Sequence, residues 1–314
     1  MTNPLRVLTW HVHGNYLWYL TRANCEFFLP VKRTLRHGYS GRNGWPMGPN
    51  VHDVPADDVR NLAFDCILFQ SRQNFTEDQF DLLTKEQRRL PRIYLEHDTP
   101  AEKATDQLHW VDDENVLLVH VTHFNALMWN NGCTPVRVIE HGVPIPDQPL
   151  YTGELERGIT VINNLRQRGR RLGADVFEQA RAEVPLDLVG MNAEEMDGVG
   201  EVKPPLLPAF ESRYRFFFHP VRWTSLGLAV LEAMALGMPM VGLATTEMVR
   251  VIENDVSGFI DTDVNALIEK MKFLLREPQE ARRLGEGARR TMVDRYHIDR
   301  FARDWEEAFA FVSR

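Results

Sequence analysis

In the stretch "HPVRWTSLGLAVLEAMALGMP", residues 219–239, Glu232 is a single carboxylate in an otherwise apolar run from Leu226 to Leu236. A helix that is apolar on every face is normally buried. Burying a carboxylate costs hydration worth about several kcal/mol, which a partner must restore. The donors are either protein groups, such as a buried arginine, or the hydroxyls of a ligand. Thr224 and Ser225 stand where a helix N-cap belongs, just before Leu226 and Gly227. The spacing therefore predicts free N–H groups and the positive end of a helix dipole beside a glycine that lets a ligand approach the backbone, which suits phosphate. Glu232, seven residues beyond Ser225, sits about 10 Å further along the axis and its side chain leans back toward the N-terminus. That offset matches the ribose of a nucleoside diphosphate, whose two hydroxyls a carboxylate can accept.

A second anion-binding candidate is the basic stretch "NNLRQRGRR", 163–171, which follows a strand-like run and offers Arg166, Arg168, Arg170 and Arg171. Nine of the eleven histidines fall before residue 145. His13, His97 and His123 stand at strand ends, where they are expected to line a ligand site; no histidine or carboxylate set has metal-ligand spacing, so no metal is expected. Tyr16, Trp18 and Tyr19 in "NYLWYL" are core aromatics or, following Gly14, acceptor contacts. No GxSxG, Walker A or HExxH motif is present, which argues against hydrolase, P-loop and metalloprotease chemistry. The net charge of −8, with 14 basic against 17 acidic residues through residue 145, gives no support to nucleic-acid binding.

Positioning these groups requires alternating strands and helices. Strands are expected at 5–14, 65–70, 91–98, 116–123 and 136–144, with a helix over 77–90 and a long loop over 39–55. Prolines 144, 146 and 149 mark a linker over 142–158. The alternation restarts with strands at 159–164, 186–190, 214–220 and 238–244, and helices at 173–183, 226–236, 246–253 and 264–276, before two terminal helices. Strand and helix in alternation imply parallel sheets covered by helices, with ligands at the carboxyl ends of the strands.

The pattern "EAMALGMPMVGLATTEMVRVIENDVSGFID" resembles the C-terminal signature of GT-B, family-4-like glycosyltransferases (glycosyl transferases group 1). "VRVIEHGVP" is similar to that family's crossover into the linker, and "IYLEHD" to the strand that delivers a histidine to its site. The resemblance covers most of the chain, is specific around residues 216–259 and is weaker before residue 90. It implies an α/β GT-B fold of two Rossmann-like domains with parallel sheets facing a central cleft: 1–148 for the acceptor, 149–291 for the nucleotide sugar, and 292–314 as a helix returning to the first domain.

By that resemblance Glu232 holds the ribose, and Ser225, Leu226, Gly227 and Leu228 meet the diphosphate and sugar. Arg166 and Arg171 fall where the family places two basic groups on the diphosphate, with Arg168 or Arg170 able to take either part, His97 stands near the donor sugar, and Gly14 opens a loop under the donor phosphates. His13, Tyr16 and His123 are expected at the acceptor. Thr224 departs from the pattern, since the family has a glutamate eight residues before Glu232 that contacts the donor sugar; Arg250 stands in place of Glu, and Asp255 in place of Gly. The implied activity is a retaining, metal-independent transfer from a nucleotide-diphosphate sugar to a hydroxyl acceptor, a glycan, glycolipid or other small acceptor, with no cofactor. The alternatives are a non-catalytic nucleotide-sugar binding protein, a nucleotide-sugar epimerase, and glycosylation of modified DNA bases. Three scattered cysteines, no signal-peptide pattern and no apolar run of about 20 residues point to the cytoplasm, with peripheral contact at the inner membrane open for a lipid-linked acceptor.

Overall fold

The computed structural model describes residues 3–33 and 37–313. Val143 and His297 form a parallel bridge, and the Val143 amide donates to the Tyr296 carbonyl at 2.9 Å. These neighbouring residues mark the two crossings of the chain between a unit of Met1–Gly142 with Ile298–Arg314 and a unit of Val143–His297.

The first unit is built on a seven-stranded sheet whose neighbouring strands are all parallel. In chain order its elements are β1 (Leu5–Thr9), α1 (Gly14–Leu20), β2 (Cys25–Val31), β3 (Val51–Pro55), β4 (Cys66–Phe69), α2 (Gln79–Leu82), β5 (Arg92–Glu96), β6 (Val116–His120), α3 (His123–Met128) and β7 (Val136–Val138). The strand order is β3-β2-β1-β4-β5-β6-β7. Val7, Leu8, Ile67, Leu68, Ile93, Leu95, Leu118 and Val119 are fully buried, as continuous apolar strands covered on both faces should be.

The second unit contains β8 (Leu155–Val161), α4 (Leu165–Arg168), α5 (Ala174–Arg181), β9 (Leu186–Val189), α6 (Leu207–Glu211), β10 (Tyr214–His219), α7 (Leu228–Leu236), β11 (Met240–Leu243), α8 (Met248–Val251), β12 (Gly258–Asp261), α9 (Val264–Arg276) and α10 (Pro278–Arg295). Its five parallel strands run β12-β11-β10-β8-β9. The chain then rejoins the first unit as α11 (Ile298–Val312), burying Phe301, Trp305 and Phe309. The Trp305 indole donates to Tyr16 Oη at 3.1 Å, and Phe309 meets Phe27 edge-on at 6.2 Å and Trp305 at 5.3 Å between ring centroids.

Three expected elements are corrected. The helix over 77–90 is instead a π turn at Asn74–Asp78, the four-residue α2 and a 3-10 turn at Gln87–Arg89. The cause is a reciprocal cap: the Thr84 amide donates to Gln87 Oε1 at 3.0 Å and the Gln87 amide to Thr84 Oγ1 at 3.1 Å, which starts a new turn. Phe80, within this stretch, is 57% exposed. The long loop contains β3 at its end, and β2 lies ahead of it; Pro30 disguises β2, but it falls beyond the stretch paired with β1, where only β3 flanks it. The linker is shorter than expected because β8 starts at Leu155, beyond the last of the three prolines.

Candidate active site

In the second unit two loops meet at the carboxyl ends of β8 and β10. The first carries α4 and the arginines. The second runs from Pro220 to Gly227 and leads into α7. Gly173, at φ +79°, is the junction: a Cβ there would lie 1.9 Å from the Pro220 carbonyl oxygen. The amides of Arg222 and Trp223 both donate to the Arg171 carbonyl at 3.1 Å, and Arg171 Nε returns a bond to the Trp223 carbonyl at 3.2 Å. Asp175, at the start of α5, accepts a fork from Arg222 at 2.6 and 2.8 Å, and that guanidinium holds its carboxyl below the usual range.

The arginines divide by these contacts. Arg171 is stitched to the second loop. Arg166 Nη1 donates to the Glu195 carbonyl at 2.6 Å, and the exposed Arg170 pairs with Asp175 at 2.5 Å. Arg222, which sequence reasoning did not single out, forms the stronger brace.

The α7 helix starts two residues later than the capping pattern predicts. Its N-cap is Gly227, extended at φ −69° and ψ 132°, while Thr224 and Ser225 remain in the preceding loop. The nearest atom to a Cβ built on Gly227 is His219 Cε1 at 3.9 Å, so neither backbone conformation nor protein packing demands a glycine there. Val230, Leu231, Ala233, Met234, Ala235 and Leu236 are buried, but Glu232 is half-buried rather than enclosed. The enclosed carboxyl is that of Glu211 on α6, which packs against α7. Glu211 is 1% exposed and its Oε2 has no hydrogen-bond partner among the described residues. Burial, with a smaller contribution from the charge of Glu232, raises its pKa well above the ordinary value.

His219 ends β10 beneath Gly227. It is 6% exposed, and burial lowers its pKa to about 4, so its ring is neutral. The strand-end sequence "FFFHP" carried the signal for it. The other departures from the family pattern are accommodated locally: Arg250 pairs with Glu247 at 3.0 Å, and Asp255 takes φ +63°, a left-handed conformation suited to the glycine it replaces.

In the first unit the His13 and His97 rings lie 3.9 Å apart, and Tyr16 meets His97 at 4.8 Å and His141 at 5.5 Å, both edge-on. His97 is buried with Nε2 lacking a hydrogen-bond partner among the described residues; burial first, then His13 and His141, keep its pKa well below the ordinary value. Tyr16 is 2% exposed and its hydroxyl accepts from Trp305, so it packs the histidines against α11 and does not present a surface to an acceptor. His123 is exposed at the start of α3, where Thr122 Oγ1 caps the helix by accepting from the Asn125 amide at 3.0 Å. A Cβ at Gly14 would fall 2.4 Å from the Trp45 ring, so a side chain there would have to displace that ring. No group of three or more potential metal ligands occurs among the described residues.

Residues 192–291 match the sequence profile of the family described as glycosyl transferases group 1. That match lies wholly within the second unit. The matched segment includes α7, Gly227 and Glu232. A curated trehalose synthase from Pyrococcus horikoshii is 32% identical over 79 residues, which is 24% of this chain and 19% of that protein, so the chain matches only about a fifth of its relative's length. Sucrose-phosphate synthase from Thermosynechococcus elongatus superposes with a TM-score of 0.71 at 15% identity, covering 99% of each chain. HepE of Anabaena, solved with UDP, has a TM-score of 0.71 at 13% identity, covering 98% of this chain and all of HepE (100%). These likenesses identify the fold as GT-B. No helix among the described residues is long and apolar enough to cross a membrane.

Proposed function

We propose that the protein is a retaining, family-4-like glycosyltransferase that moves a sugar from a nucleoside-diphosphate donor to a hydroxyl acceptor without a metal. The observation that carries the reading is Gly227 at the start of α7: a glycine that the protein's own packing does not require, at a helix N-terminus, in the segment that matches the group 1 family. A ligand's close approach to the backbone supplies the reason. HepE is described with UDP and with UDP-glucose, and S. aureus TarM with UDP, which makes uracil the proposed base.

In this reading Glu232 accepts both ribose hydroxyls, and the amides of Ser225 to Leu228 with Arg166 and Arg171 take up charge on the leaving diphosphate. Loss of one such preorganised donor costs about 3 kcal/mol of transition-state stabilisation. The acceptor hydroxyl attacks from the face that the diphosphate leaves, and a departing phosphate oxygen takes its proton. His97, kept neutral by burial, contacts the donor sugar, while His13 and His123 serve the acceptor. Thr224, shorter than the family's glutamate and uncharged, changes which sugar is held. The three cysteines are unpaired, two of them buried, which suits the reducing cytoplasm.

The test is product stereochemistry. Incubation with UDP-glucose and a panel of hydroxyl acceptors, read by the anomeric proton coupling of the product, is expected to show the donor's own anomeric configuration. An inverted product overturns retention.

A further inference from the structure

Glu96 ends β5 one residue before His97 and is 4% exposed. Its Oε1 accepts the Asp98 amide at 2.8 Å, and its Oε2 faces His109 Nε2 at 3.0 Å. His109 is 1% exposed, and its other ring nitrogen, Nδ1, accepts the Val111 amide at 3.0 Å. That backbone donor fixes the tautomer: the Nδ1 lone pair is used, so Nε2 carries the proton and donates to Glu96. Burial lowers the His109 pKa to about 4, and the ring is neutral. Burial pushes the Glu96 carboxyl well above the usual carboxylate range, and in either charge state both its oxygens accept N–H groups, one from the turn that bears His97 and one from a neutral imidazole.

The same turn is held at two further points. Trp129 Nε1 donates to the Asp98 carbonyl at 2.8 Å, and Asn125 Nδ2 to the His97 carbonyl at 3.4 Å. Glu96 is the titratable group among these three holds. The titratable and charged groups around it are Tyr94, His97 and Asp98 on its own strand and turn, His109 on the following segment, and His120, its register partner on β6. Arg72 lies over Trp110, whose ring is 4.5 Å from that of His109.

We infer that Glu96, braced by His109, is a positioning residue that sets the His97 imidazole for sugar transfer without touching substrate itself. The inference rests on the reading of His97 given above. A glutamine at this position does not substitute: its oxygen can serve one N–H, but its amide then presents donors to the other. His109 cannot relieve the clash by exchanging tautomers, because that would turn an Nδ1–H against the Val111 amide.

Four variants test this: E96Q, H109N, which is too short to reach the carboxylate, H109Q, whose amide nitrogen can stand in for Nε2, and H97A as the reference. Readouts are UDP affinity by calorimetry, kcat and KM with UDP-glucose, and the ring nitrogen shifts of His97 in histidine-labelled protein. E96Q and H109N are expected to bind UDP within twofold of wild type, to lose at least tenfold in kcat with little change in KM, and to shift the His97 ring signals; H109Q recovers most of the kcat lost in H109N. A merely structural role lowers thermal stability and leaves kcat and the His97 signals of the folded protein unchanged, which overturns the inference. Equal behaviour of H109N and H109Q also overturns it, and that comparison decides the matter should E96Q not fold. Failure of the glycosyltransferase reading shows differently, as a wild type that neither binds UDP nor turns over UDP-glucose; the His97 signals then decide the positioning role alone.

Discussion

Gly173 packs its backbone so closely against Pro220 that a Cβ would fall 1.9 Å from the proline carbonyl oxygen, and its φ of +79° is one that side chains rarely adopt. This contact, with the Arg171 and Trp223 bonds beside it, joins the arginine loop to the loop that leads into α7. Gly173→Ala is expected to destabilise the protein by about 2 kcal/mol or more, from backbone strain together with the clash. For a unit of this size that corresponds to a fall in Tm of roughly 4–8 °C. Differential scanning fluorimetry checks it, and an unchanged Tm contradicts the junction.

Gly227 should behave in the opposite way. Its φ of −69° is open to any residue and a Cβ meets nothing closer than 3.9 Å, so Gly227→Ala is expected to hold stability within about 0.5 kcal/mol. UDP affinity should fall by at least about tenfold, since a methyl group intrudes where phosphate approaches the backbone. Calorimetric titration of a variant with wild-type Tm separates the two effects; wild-type affinity would remove the support Gly227 gives the proposed function.

Glu211 gives a pH prediction. Burial raises its folded-state pKa well above that of the unfolded chain, so its favourable contribution is complete below the unfolded value, about 4.3, and is lost as pH rises through the folded value. E211Q, neutral at every pH, is expected to match wild type near pH 4 and to become progressively more stable than it toward neutral and alkaline pH. Denaturant unfolding of both proteins from pH 4 to 9 measures the divergence. Parallel curves contradict a raised Glu211 pKa.

The sequence was most legible where apolar runs are short and bounded. "DCILFQ", "PRIYLEHD", "LDLVG" and "YRFFFHP" became β4, β5, β9 and β10 within one or two residues, and α9 spans 264–276 as expected. Legibility failed where side-chain caps or strand pairing, and not periodicity, decide the outcome. The Thr84 and Gln87 cap breaks a helix that periodicity alone would extend, and β2 is built despite Pro30 because its pairing with β1 ends first. At the site, Glu232 and the glycine before α7 could be read from local pattern. Glu211, Arg222 with Asp175, and His109 with Glu96 could not, because each acquires its role from a partner or from burial that sequence distance conceals.

The central claim is that Glu232 and the N-terminus of α7 hold a nucleoside diphosphate, and UDP binding to wild type and E232A, run side by side by calorimetry and thermal shift, tests it most directly. Wild type at a UDP concentration about 100-fold above its Kd should gain roughly 2.7 kcal/mol of stability. E232A should keep its fold and lose about 1 to 3 kcal/mol of affinity, the value of hydrogen bonds to a charged group. A wild type that does not bind UDP, or an E232A variant that binds it equally well, would contradict the account.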